Sequence, residues 1–192
     1  MSRSTRSVRA DRAPAAFGWL LAAALCAVPA GATTVITAPP LPPAVAALLP
    51  QARLQGGGVL RFLGLSIYDG WYWSDAPGWS TERAFALDLH YHRALDGDRI
   101  AERSIDEMTQ IGAGTPAQRG AWQLLLREIF PDVRPGDRIT GVNLPPATVR
   151  YFHNGAPIGE VVDRDFARAF FGIWLDPRTS QRDYRRKLLG ES

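Results

Sequence analysis

The order of hydrophobic periods along this chain predicts an α+β domain, an antiparallel β-sheet with helices layered on one face. Three observations carry the prediction. Ala84 to Leu95 alternates apolar and polar residues, as a half-buried strand does. Two helical patterns with start and stop signals follow it directly. The chain then returns to strands around Asn154-Gly155, a strong two-residue turn signal, and ends in helices.

Residues 1–32 read as a secretory signal. Arg3, Arg6, Arg9 and Arg12 precede the apolar run "APAAFGWLLAAALCAVPA", and small residues end it at Ala32. The run is broken by Pro29 and falls short of the about 20 residues that span a membrane comfortably. A Sec-type export, cleavage after Ala32 and a periplasmic or secreted product without stable membrane insertion are expected. An uncleaved anchor is the competing reading. Leu25 stands where a lipoprotein site needs a small residue before Cys26. Cleavage would remove that one cysteine, leaving neither a disulfide nor a thiol nucleophile.

The leader also carries the charge imbalance. The whole chain has 22 basic and 19 acidic residues, and without four leader arginines and Asp11 it has 18 of each. The basic excess therefore does not argue for nucleic acid. Residues 33–51 are rich in Pro and Ala, carry no charge, and read as an extended lead-in. Residues 52–192 are long enough for one domain with a sizeable core.

Within that domain, Ala52 to Trp73 reads as two strands, with Gly56-Gly57-Gly58 permitting the turn between them. In the next strand Phe85, Leu87, Leu89 and Tyr91 share one face; Asp88, His90 and His92 share the other. The first helix is expected to be capped by Asp98, with Ile100, Ile105, Met108 and Ile111 as its stripe and Gly112 as its stop. Thr115-Pro116 opens the second, whose apolar face is Trp122, Leu125, Leu126, Ile129 and Phe130. "DRITGVNL" and the hairpin "TVRYFHNGAPIGEVV" supply the later strands. Phe166, Phe170, Ile173 and Trp174 then share a helical face closed by Asp176-Pro177. Ser180 and Asp183 are candidate caps of a last short helix ending at Gly190.

Most catalytic patterns are missing. The triple glycine lacks the lysine of a phosphate loop, no serine stands in a Gly-x-Ser-x-Gly elbow, and no cofactor motif is present. Asp106 and Glu107 are adjacent on a helix and do not face each other, so paired acid–base chemistry is not implied. His90 and His92, with Asp88 and His153, offer a candidate metal site. The simpler reading is a solvated strand face, and no metal is assigned. Arg61 and Arg93 are different, because each sits in an apolar pattern. An arginine there needs an anion or a carboxylate partner. Either it anchors an acidic ligand, with Tyr68 or Tyr91 donating a hydrogen bond, or it forms a structural ion pair or reaches solvent.

The stretches "GVLRFLGLSIYDGWYW", "SIDEMTQIG", "PDVRPGDRITGV" and "FHNGAPIGEVVDRDFARAFFGIWLDPRTS" resemble those of bacterial secreted chalcone isomerase-like proteins, from about Arg53 to Leu189. The resemblance implies the chalcone isomerase fold, with a cleft between sheet and helices. Plant members close a flavanone ring in an apolar cleft where an arginine and several donors steady developing negative charge. Non-catalytic relatives bind fatty acids. Arg61-Phe62-Leu63 stands where the plant pattern has Lys-Phe-Thr, so a hydroxyl is replaced by an isobutyl group. The plant arginine falls at Gln51-Ala52, two residues from Arg53. One lost oxyanion donor costs about 10²–10³ in rate, so chalcone cyclisation is not expected. The resemblance adds Phe62, Leu63 and Leu65 to Arg61, Tyr68 and Arg93 as candidate ligand contacts. The expected partner is a small hydrophobic or carboxylate ligand such as a fatty acid or aromatic metabolite; an isomerase or intramolecular lyase is the alternative. No protein partner is indicated.

Overall fold

The structure, a computed structural model, describes residues 38–191. The expected signal, its cleavage site and Cys26 lie outside the described residues. Six strands form one antiparallel sheet in chain order: β1 (Arg53–Phe62), β2 (Leu65–Ser74), β3 (Phe85–Tyr91), β4 (Arg138–Leu144), β5 (Thr148–His153) and β6 (Ala156–Val162). The helices are α1 (Pro43–Leu48), α2 (Gly97–Gln110), α3 (Pro116–Ile129), α4 (Arg164–Leu175) and α5 (Arg182–Leu189). Apart from α1, they gather on one face, as expected for an α+β fold.

Pairing fixes the faces. Tyr68, Tyr72, Phe85, Leu87, Leu89 and Tyr91 point toward the helices and join the main core. The other face was expected to be solvated, but β3 is buried on both sides. Two features cover its outer face. The lead-in is not merely extended: it forms α1, and Val45 and Leu49 pack on Ala86, Val142 and Phe152. Beside them Asp88 is fully buried and receives 2.7 and 2.6 Å bonds from the Arg138 guanidinium and a 2.7 Å bond from Thr140. Arg138 also donates to the Pro40 carbonyl, tying the lead-in to the sheet.

The first turn is not at the glycines. Gly56, Gly57 and Gly58 lie inside β1, and the chain reverses at Leu63 and Gly64, both at positive φ. The glycines serve close approach instead. A Cβ at Gly56 would meet the Lys187 carbonyl oxygen and the Gly190 nitrogen, so only glycine lets α5 lie on this strand. The Asn154-Gly155 turn forms as expected, at φ of 51° and 85°.

Helix ends follow the sequence signals in part. Thr115 and Gln118 make a reciprocal capping box on α3, with Pro116 in its first turn. Asp163 caps α4, accepting from the Asp165 and Phe166 amides. Asp98 is not the α2 cap; the Gly97 amide donates to Asp132, in the segment after α3. Ser180 and Asp183 do not cap α5, because Ser180 turns to Glu107 and Asp183 pairs with Arg186. The stripe of α2 holds in its second half, where Met108 and Ile111 are buried, but in the first half Ala101 and Ser104 are buried while Ile100 and Ile105 are half-buried. On α3, Leu125 is exposed, while Trp122, Leu126 and Phe130 are buried.

Candidate functional site

Alpha helix α2 packs mainly on α3 and α4, standing off the sheet. The space this leaves is a cavity of about 490 Å³, within the roughly 300–1,000 Å³ usual for ligand sites. Leu87, Leu89 and Tyr91 of β3, Ile139 and Gly141 of β4, and Tyr151 of β5 form its sheet wall. Ile100, Ser104 and Glu107 of α2, with Phe170, Ile173 and Trp174 of α4, form its helix wall. Gly141 has no side chain, which lets the Phe171 ring pack directly against β4; a Cβ there would sit 3.3 Å from it. The exposed lining residues Arg61, Phe62, Arg99, Glu102, Arg103 and Asp106 mark the opening.

Three of the six expected contacts reach this cavity. Tyr68 is buried in its wall and accepts a 2.8 Å hydrogen bond from the Trp174 indole. Arg61 and Phe62 stand at the rim, where Arg61 is exposed and Phe62 is 54 % exposed. The other three lie elsewhere. Leu63 occupies the hairpin turn at 85 % exposure, and Leu65, one residue beyond it, is 49 % exposed. Arg93 follows the end of β3, so the strand's alternation no longer governs it; it is exposed and donates to the Ser66 carbonyl. The position matching the plant threonine is thus outside the cavity, and Arg53 is exposed at the start of β1. The three histidines do not converge. His90 meets Asp88 at 3.2 Å, His92 meets Asp69 at 3.0 Å, and His153 lies 3.6 Å from Asp137.

Sequence reasoning missed Glu107. It is buried in the cavity wall, accepts 3.0 Å from the Ser180 hydroxyl, and is ion-paired with Arg103. Arg103 itself is largely exposed and lies over the Phe62 ring, 5.9 Å from its centroid, a cation–π contact at the opening. Helix periodicity carried a partial signal, since Glu107 lies three residues from Ser104 and one from Met108 on the inward stripe.

The phenols of the interior are held in neutral form. Burial drives the Tyr68 phenol far above its ordinary range, against the lowering effect of the Trp174 bond, and the nearby Glu107 charge adds to the rise. Burial likewise raises Tyr91, helped by Tyr68, and Tyr151. These phenols stay protonated and can donate, and no lining cation is buried. The cavity is therefore suited to holding an apolar body and hydrogen-bonding one polar end.

The comparisons agree with this architecture. A family model described as chalcone isomerase-like matches residues 76–190. An uncharacterized protein of Haemophilus influenzae is 26 % identical over 111 residues, which is 58 % of this chain and 54 % of that protein. The chain thus spans about half the length of that relative. The crystal structure of AtFAP1, a fatty-acid binding protein of Arabidopsis thaliana, superposes with a TM-score of 0.55 at 13 % identity. That match covers 72 % of this chain and 87 % of AtFAP1, and shows the shared fold. With the family's segment running from just after β2 to just past α5, well over half of the chain, the chain belongs to the chalcone isomerase-like family.

Proposed function

We propose that this chain is an exported binding protein that holds a small hydrophobic ligand, such as a fatty acid or an aromatic metabolite, in the cavity between sheet and helices. The cavity itself, apolar along both walls and open beside Phe62, carries the reading. The fatty-acid binding neighbour supports a lipid-like occupant by its name and fold. The basic and apolar leader supports export to the periplasm or beyond. True chalcone cyclisation is not part of the reading, because neither the hairpin turn nor Arg53 brings a donor into the cavity. Delipidated protein should gain several degrees in Tm with some members of a lipid and phenolic panel. A flat response across the whole panel would sink the proposal.

The isomerase alternative keeps one favourable observation, the phenol of Tyr68 and the carboxylate of Glu107 lining the same cavity. His153 pairs with Asp137 and does not line the cavity, so it offers no acid–base group there. Turnover of an enone by purified protein, abolished in Tyr68→Phe, would favour this second reading.

A further inference from the structure

The charges of the cavity are distributed by depth, and the distribution selects a head group. Three arginines and three carboxylates line it, so it has no net formal charge. Five of these six are exposed at the opening. Arg99 there pairs with Asp96 at 3.2 Å, and Glu102 with Arg127 at 2.8 Å. Arg61 is a rim cation in water, where an ion pair contributes only about 0–1 kcal/mol. The sixth charge is Glu107, and it is the one that is buried. Its natural neutraliser, Arg103, is already paired with it, so no buried cation is left for a ligand. What the interior offers instead is uncharged donors. The Tyr68 oxygen accepts from Trp174, which leaves the phenol proton to donate. The Tyr151 hydroxyl has no hydrogen-bond partner among the described residues.

We propose that the cavity selects an apolar ligand with an uncharged polar head, a hydroxyl or an ester, over the corresponding carboxylate, because Tyr68 donates to a neutral oxygen while buried Glu107 repels an anion. This rests on reading the cavity as a ligand site. A carboxylate entering beside Glu107 places two like charges in a poorly hydrated space, which is costly. An alcohol meets no such penalty, and can accept from Tyr68 and donate onward to Glu107. A carboxylic ligand would enter with a proton on it, or stop with its head at Arg61.

The test uses three ligands with one tail: dodecanol, methyl dodecanoate and dodecanoate, titrated into the delipidated full chain at about pH 8, well above the carboxyl range. Dodecanol and the ester should bind about tenfold tighter than dodecanoate. Glu107→Gln, which keeps the shape and frees Arg103, should tighten dodecanoate to the level of the alcohol and leave the ester unchanged. Tyr68→Phe should weaken the two neutral ligands several-fold while thermal melting checks that the fold persists. Equal or tighter binding of dodecanoate by the unmodified protein would overturn the head-group inference and leave the cavity reading intact. A neutral preference that survives Glu107→Gln would overturn the role of Glu107. Failure of all three ligands to bind would overturn both.

Discussion

On the outer face of the sheet, Asp88 is fully buried and its carboxylate is bonded by Arg138, Thr140 and His90. Across the cavity from the inner face, on α2, Glu107 is almost as buried, but it borders open volume and is held by one serine and one largely exposed arginine. The first arrangement has every lone pair met and α1 packed alongside, so it fixes β3, β4 and the lead-in as one unit. The second leaves an unfilled wall and protonated phenols. One sheet thus carries a face built for rigidity and a face built to receive something. A buried carboxylate alone does not tell which is which; its partners and the space beside it do.

The largest effect should come from breaking the rigid face. Asp88→Ala leaves the Arg138 guanidinium half-buried without its partner, and should lower stability to denaturant by about 3–5 kcal/mol. The same carboxylate predicts the acid response. Burial alone would raise it, but bonds from His90, Arg138 and Thr140 together hold it below its ordinary value. Its stabilisation is therefore fully present above about pH 5, and is lost as pH falls below about 4 through the depressed value. Urea titrations should show stability falling over that window, and Asp88→Asn should flatten the fall.

Removing the apolar cover of the same face should cost less. Leu49→Ala strips packing from the Ala86, Val142 and Phe152 patch, and should destabilise by about 2 kcal/mol, the low end for such truncations. On the receiving face the effects should move from stability to ligand. Ile100→Trp adds bulk to the cavity wall from a half-buried position, so Tm without ligand should hardly change, while the ligand-induced rise should vanish. Smallest of all, Leu63→Ser at the hairpin turn should stay within about 0.5 kcal/mol of the parent and keep ligand affinity. A clear loss of affinity there would return Leu63 to the binding site.

Much of this fold was legible in local chemistry. Thr115-Pro116 and Asn154-Gly155 each act within a few residues, and each forms as the sequence predicts; the alternation through Phe85 to Tyr91 marks the strand and its inner face, but not the burial of its outer one. What escaped depends on distant partners. The glycines of β1 looked like a turn because the helix that needs their bareness, α5, lies more than a hundred residues later. Pro43–Leu48 looked like linker because so short an apolar helix gains its stability from the sheet face beneath it. Arg93 was misjudged because its strand ends two residues earlier, and Leu63 because the turn lifts it away from the wall. Glu107 carried only its place beside the inward stripe of α2 as a signal. An acid on a helix, with Arg103 one turn before it, reads as surface until the distant Ser180 folds back to meet it.

Native mass spectrometry of the protein, gently purified from its host, tests the central claim most directly. The cavity predicts a fraction carrying one hydrophobic small molecule per chain, retained at low collision energy and absent from Ile100→Trp. A population only at the bare chain mass, unchanged after incubation with dodecanol, would contradict it.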